Sequence, residues 1–237
     1  MGQQSYTASA TGNWTCPPGV FQVKIECWGA GGAGGGQASL TQDGGGGGGG
    51  GAYARINVLA VTPSQTYAYV VGAKGAGSTG NGTRGGTSSF TTICKADGGY
   101  PGLQSTGTPP VGGLGGSASL CVGDVKYSGG QGEKGEDSQT GAGAYGGSSG
   151  GTASDGFSGP QTWSTVTFPV GSLPAGAGVG GNGGARSASG VIPASGNGGG
   201  GGGSGCDGTN LVGAAGADGK VVITWEDNVV LNIIVNA

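Results

Sequence analysis

The sequence contains no histidine and few charged residues. Its 237 residues include 9 Lys and Arg and 12 Asp and Glu, so that the net charge is −3. The absence of histidine removes the commonest general base and a common metal ligand. The few basic residues are scattered and give no electrostatic footprint for nucleic acid. We therefore expect that the protein is not an enzyme, uses no cofactor or metal, and binds no nucleic acid.

Membrane spans, export signals and cysteine motifs are missing as well. No apolar run has the length of a membrane-spanning helix. The first ten residues, MGQQSYTASA, have neither the basic nor the apolar region of a secretory signal. Five cysteines form an odd number without a C-x-x-C pair, which fits neither a disulfide framework nor a zinc site. These features predict reduced thiols, synthesis in a cytoplasm and no membrane insertion.

What the chain has instead is glycine, with 65 glycines and 10 prolines. These two residues exclude α-helices almost everywhere, and Val, Ile, Leu and Phe together fall below the fifth that an ordinary core requires. Such a composition favours disorder. The low net charge, however, provides no repulsion that would keep the chain expanded. We expect the chain to collapse, assemble or aggregate.

Large apolar residues are concentrated in three segments: residues 14–28, 53–71 and 221–235. In VFQVKIECW, YARINVLAV and KVVITWED, apolar residues alternate with polar ones, which is the period of a half-buried strand. TYAYVV is strand-like and follows the turn-forming TPSQ. The apolar face of the first strand would carry Phe21, Val23, Ile25 and Cys27, and that of the second Ile56 and Val58. Because the first and last segments are both strand-like, we expect the two ends of the chain to pair.

Between these segments lie glycine tracts, of which residues 44–51 are eight consecutive glycines. An extended glycine helix with three residues per turn makes no internal hydrogen bonds. Several such helices side by side can exchange backbone hydrogen bonds, each contributing about 0.5–1.5 kcal/mol, which matches the entropy cost of glycine. The sequence therefore predicts an all-β fold, in which a small β-sheet or sandwich joins a stack of polyglycine II helices with almost no α-helix.

Several motifs together resemble the glycine-rich domain of phage tail proteins. They are ECWGAGGAGGG, the glycine run into AYA, VTPSQTYAYVVGAKGAG, GGTSSF and the closing GADGKVVITW. The resemblance covers about residues 14–225 and includes the tail-fibre tip adhesins of T-even-type phages. In those relatives, polyglycine II helices stack in a sandwich and the loops between tracts contact the bacterial receptor. The resemblance places SSF, which ends at Phe90, in a core strand.

The resemblance implies a domain organisation and a location. Residues 1–13 would be an N-terminal tail, and residues 14–227 the glycine-rich domain, with receptor-facing loops within residues 87–212. The protein would be made in the host cytoplasm and reside in the virion, in the tail or a fibre. Its partners would be a bacterial surface receptor, protein or glycan, and other virion proteins. Residues 228–237 have no counterpart in the family pattern.

Residues 152–174 form the longest glycine-poor stretch outside the strand segments. Phe157 and Trp163 stand there among Ser, Thr and Gln, a mixture of rigid aromatic and adaptable polar groups that is common in recognition loops. The alternative is a hairpin that buries Trp163 and Phe168. Tyr100 and Tyr127 are further candidates of the same kind. We therefore predict a receptor-binding set of Trp163, Phe157, Tyr100 and Tyr127.

Three further expectations concern assembly, function and charge. The apolar run VVLNIIV, residues 229–235, predicts a strand or arm that pairs with another chain, as in a homo-oligomer, or with the rest of a virion. The alternative is a last strand within its own domain. Instead of an adhesin, the protein could be purely structural, as a virion decoration, a fibre component or a secreted matrix protein. The acidic cluster Glu133, Glu136 and Asp137, with Lys134 inside it, indicates a solvated edge.

Overall fold

The computed structural model describes residues 1–38, 43–106, 110–135, 142–159, 173–181, 188–193, 197–206 and 210–226. The strands of these residues are β1 (Gly2–Tyr6), β2 (Ala10–Thr15), β3 (Gln22–Trp28), β4 (Tyr53–Ala60), β5 (Thr66–Val71), β6 (Ser88–Phe90), β7 (Cys94–Ala96), β8 (Val125–Tyr127) and β9 (Lys220–Trp225). The helical structure within the described ranges is one 3₁₀ turn, Ala118–Leu120. The predicted all-β fold is confirmed.

The strands form two antiparallel sheets. One sheet has the order β1-β9-β3-β4-β8, and the other has the order β2-β5-β6-β7. Strand β9 lies between β1 and β3, so the two ends of the chain pair as expected. The first 13 residues supply β1 and most of β2, and the boundary drawn from the sequence at residue 13 falls inside β2.

The apolar core lies between the two sheets and is centred on Trp14. Its ring lies 5.9 Å from that of Tyr67, 6.0 Å from Phe90 and 5.8 Å from Trp225, measured between centroids. The alternating residues of β3 and β9 fill the space beside these rings, and Ile25 is fully buried. Phe90 is also fully buried in β6, which confirms its expected place in a core strand.

Two residues assigned to the core face from periodicity are instead exposed. Phe21 is 55% exposed because β3 begins one residue later, at Gln22. Val58 is 63% exposed. The pairing of β3 with β4 shifts register between Val23 and Ile25, and a bulge of this kind changes the face to which the following residues belong.

The glycine run at residues 44–51 is buried along its whole length, so it is part of the folded domain and not a linker. Its N–H groups donate to three neighbouring segments with a period of three residues. The donor and acceptor pairs are Gly45 to Ser204, Gly48 to Gly201 and Gly51 to Gly198; Gly46 to Leu103 and Gly49 to Tyr100; Gly47 to Glu133 and Gly50 to Gly130. Each third residue thus faces the same neighbour.

The carbonyl groups of the same run accept hydrogen bonds from three other segments, again with a period of three. The accepted donors are Ala144, Gly147 and Gly150; Gly32 and Gly35; Gly113 and Gly116. The run is therefore surrounded by six segments of the chain, and its backbone groups are paired with the backbone of others. We call this set of hydrogen-bonded tracts the glycine bundle.

Close approach of backbones explains why the central run is glycine. A Cβ atom built on Gly47, Gly48 or Gly49 would lie within 3.0 Å of a carbonyl oxygen of a neighbouring tract, closer than real Cβ atoms approach. Elsewhere in the bundle small side chains fit, since Ala30 and Ala33 are fully buried in an adjacent tract. The central run thus requires glycine for steric reasons.

Candidate recognition face

Four segments lie next to one another at one side of the glycine bundle: residues 97–103, 110–116, 128–135 and 155–159. Adjacent segments are joined by backbone hydrogen bonds. The N–H of Tyr100 donates to the carbonyl of Leu114 at 2.8 Å, that of Gly132 to Gly113 at 2.8 Å, and that of Gly159 to Gln131 at 2.8 Å. The four segments therefore form one continuous row.

Side chains emerge from this row at every third residue. Leu103 follows Tyr100 by three positions, Leu114 follows Val111 by three, and Lys134 follows Gln131 by three. Leu114 is 59% exposed, and Leu103, Val111, Gln131 and Lys134 are exposed too, whereas the residues between them are mostly buried. We call the set formed by Tyr100, Leu103, Val111, Leu114, Gln131, Lys134 and Phe157 the outer face.

Phe157 lies at the end of the row with a fixed backbone and an exposed ring. Its N–H donates to the Oγ of Ser148 at 2.7 Å, and its carbonyl accepts from the N–H of Ser148 at 2.9 Å. Ser148 is fully buried in the bundle, while the Phe157 side chain is 47% exposed. The phenyl ring is thus held at the surface by a buried anchor, which lowers the entropy cost of using it in binding.

Tyr100 is half-buried, and one face of its ring is occupied. The guanidinium carbon of Arg84 lies 4.0 Å from the ring centroid. Arg84 also donates to both carboxylate oxygens of Asp97, at 2.7 and 2.8 Å, and Asp97 is buried. Tyr100 therefore has a structural contact on one side and contributes its remaining surface to the outer face.

Tyr127 packs against the five-stranded sheet. It lies at the end of β8, and its ring stacks on that of Tyr53 at 6.3 Å with an interplanar angle of 14°. Trp28, Val222 and Val125 belong to the same apolar cluster. Tyr127 thus adjoins the outer face at Ser128 without belonging to it. Trp163 and Phe168 lie outside the described residues.

A family model described as a glycine-rich domain matches residues 7–226. The chain belongs to the glycine-rich domain family. No curated protein matches the sequence. The match supports the glycine-rich part of the resemblance noted above, and it covers the glycine bundle, the outer face and every strand except β1. It therefore treats as one domain all the elements from β2 to β9.

Sequence reasoning missed five residues of the outer face of this glycine-rich domain: Leu103, Val111, Leu114, Gln131 and Lys134. The signal that could have found them is the spacing X-G-G-X in DGGYPGL, VGGLGGS and SGGQGEK. In a chain segment with a period of three, this spacing puts successive side chains on one side. The sequence analysis selected aromatic residues by their type. The aliphatic residues of the outer face are recognised instead by their position in the three-residue period.

The expectation that the acidic cluster forms a solvated edge is wrong for Glu133. Glu133 is buried, and its Oε2 accepts a hydrogen bond from the N–H of Tyr145 at 3.1 Å. Burial and the Glu133 charge together raise the pKa of Tyr145. Lys134, the next residue in the tract, is exposed, because neighbouring positions of a three-residue period face different ways. Glu136 and Asp137 lie outside the described residues.

All five cysteines of the glycine-rich domain are buried, and none of them forms a disulfide. Burial raises the pKa of Cys27 well above its ordinary value, and it also raises the pKa of Cys121. Within the part of the chain that the structure describes, no group of three or more His, Cys, Asp or Glu side chains could hold a metal ion. No helix in those same ranges is long and apolar enough to cross a membrane.

Proposed function

We propose that this glycine-rich domain is a phage virion adhesin that binds a bacterial surface receptor through the outer face and the residues that follow Phe157. The observation that carries the proposal is the outer face itself. Exposed Leu103, Val111 and Leu114 form an apolar surface on two adjacent segments beside Tyr100, and exposed Phe157 lies two segments further along the row. Contiguous exposed apolar surface on a soluble domain marks an interaction site.

The way in which the row is held together supports this role. The four segments are joined to each other and to the central run by backbone groups. Outward side chains at every third position take no part in those bonds, so they can be changed without loss of the bundle. A surface that can vary on a constant frame suits recognition of a variable receptor.

We also propose that the tracts are polyglycine II helices packed in a stack. Two features support this: the period of three in the hydrogen bonds of residues 45–51, and the six neighbours of that run. Polyglycine II has three residues per turn and no internal hydrogen bonds, so its donors and acceptors point outward in three directions. Slow amide exchange at Gly45–Gly51 is expected, and rapid exchange there would contradict the stack.

The alternative is a purely structural protein, either a virion decoration or fibre component or a secreted matrix protein. Its support is that two of the four residues predicted from the sequence to bind a receptor have packing contacts, Tyr100 with Arg84 and Tyr127 with Tyr53. In that case, the outer face would contact other subunits and no host receptor. The resemblance to tail-tip adhesins favours attachment.

Binding of the purified protein to candidate host cells tests the proposal. We expect Leu114→Ala, Phe157→Ala and Trp163→Ala each to weaken binding by about tenfold or more, the loss typical of central interface residues. Ile192→Ala is the matched control, since Ile192 is 65% exposed but lies in another part of the bundle. Absence of host binding by the wild type, or an equal loss in the control, would leave the structural alternative.

A further inference from the structure

A groove of about 760 Å³ lies on the five-stranded sheet, at the end where the described chain stops. Its floor is a row of side chains from four adjacent strands, Gln3, Thr224, Lys24 and Asn57. The Nε2 of Gln3 donates to Oγ1 of Thr224 at 3.4 Å, so the row is continuous across the first two strands. The groove also borders the apolar core, since Val23 of the core and Trp225, which packs against it, are among its lining residues.

The walls of this groove are more apolar than its floor. Met1, Phe21 and Val58 line it, and each of the three is more than half exposed. Trp225 and Glu226 line it as well, and Glu226 is the last described residue before the C-terminal segment. The groove thus combines uncovered apolar side chains with amide groups that can both donate and accept hydrogen bonds.

The chain continues from the groove into its most apolar segment. Residues 229–235, VVLNIIV, begin three positions after Glu226 and lie outside the described residues. A period of two places Val229, Leu231, Ile233 and Val235 on one face, and the other face carries Val230, Asn232 and Ile234. Such a segment, if left exposed, is an aggregation hazard.

We propose that residues 229–235 bind in this groove of their own chain, with the face of Leu231 and Ile233 toward Phe21 and Val58. Each residue of an extended segment advances about 3.3 Å, so Leu231 reaches about 16 Å from Glu226. Neighbouring strands lie about 4.8 Å apart, so Val58 on β4 is about 10 Å across the sheet from β9. The segment is long enough to span the groove, and its attachment three residues away gives it a high effective concentration there.

Alkylation of a cysteine placed at Val58 in the full chain measures whether the groove is covered. The native cysteines are buried and contribute little background. We expect the cysteine of Val58→Cys to be alkylated slowly. Adding both Leu231→Asn and Ile233→Asn to this variant should increase the alkylation rate by about tenfold or more. The matched pair Val230→Asn and Ile234→Asn, on the other face, should leave the rate unchanged. Equal alkylation rates in the two double-substituted variants of Val58→Cys would overturn the proposal.

A disulfide identifies the chain that supplies the segment. Oxidation of Val58→Cys with Leu231→Cys, or with Ile233→Cys, should give a cross-linked monomer on a non-reducing gel, independent of protein concentration. Pairing Leu231→Cys with a cysteine at Val70, which is exposed on the other sheet, is the control and should give none. A cross-linked dimer would assign the groove to the segment of a second copy, and absence of any cross-link would refute the docking itself.

Discussion

Gly48→Ala tests whether the central run is glycine for steric reasons. Gly48 is buried, its N–H donates to Gly201 at 2.8 Å, and its carbonyl accepts from Gly147 at 2.9 Å. An added Cβ would lie within 3.0 Å of the carbonyl oxygens of Gly32 and Ala33. Both obstacles are backbone atoms, so a neighbouring tract must move to make room for the methyl group.

The expected loss of stability follows from three contributions. Overpacking costs about 1–3 kcal/mol, and weakening the two hydrogen bonds of Gly48 costs about 0.5–1.5 kcal/mol each. Replacing glycine by alanine restricts the unfolded chain, which offsets about 0.4–1 kcal/mol. We expect the free energy of unfolding to fall by about 1–6 kcal/mol, measured by denaturant unfolding with an unchanged m-value.

Gly80→Ala is the matched control. The nearest atom to a Cβ at Gly80 is Oε1 of Gln104, at 3.1 Å, the end of a flexible side chain. The same substitution should therefore be neutral there, or stabilise the protein by about 0.4–1 kcal/mol. If Gly48→Ala and Gly80→Ala changed the stability by the same amount, within about 0.5 kcal/mol, the steric account of the central run would be refuted.

Three further predictions concern the core, pH and thiols. Trp14→Ala should cost about 3–5 kcal/mol in denaturant unfolding, whereas exposed Val70→Ala should stay within about 0.5 kcal/mol of the wild type; similar losses would contradict the central place of Trp14. Burial, followed by the hydrogen bond to Glu26, raises the pKa of Tyr53, so its contribution to stability is complete below the unfolded value of about 10 and is lost as pH rises toward the folded value. Tyr53→Phe should therefore flatten the decline of stability above about pH 10, and an unchanged slope would argue against this assignment. A thiol reagent should label almost no cysteine in the native protein and all five after denaturation; fast native labelling would contradict their burial.

The strands that sequence reasoning found are those with a period of two. TYAYVV is β5, and KVVITW is β9, since both combine alternation with β-branched or aromatic residues. Strand β1, GQQSY, was missed because its residues are polar and it forms by pairing with β9. Strands β6, β7 and β8 have three residues each, too few for a period to be visible, and β6 was expected from the resemblance alone.

The outer face could be predicted only in part. The three-residue spacing of Val111 and Leu114 can be seen in VGGLGGS. Whether these side chains face the solvent depends on which tracts lie beside this one. Those neighbours are set by contacts between distant positions, such as Gly48 with Gly201, which no local pattern encodes. For the same reason, the stacking of Tyr127 on Tyr53 could not be inferred from either segment alone.

The three-residue period of the bundle constrains how the tracts can change in length. Inserting one residue before Leu114 would turn the leucine by a third of a turn, toward Gly132 or the central run, and bring a glycine to the surface. Inserting three residues would restore every orientation and extend the tract by about 9 Å. Tract lengths should therefore vary in multiples of three among related chains, whereas the connections between tracts can take any length.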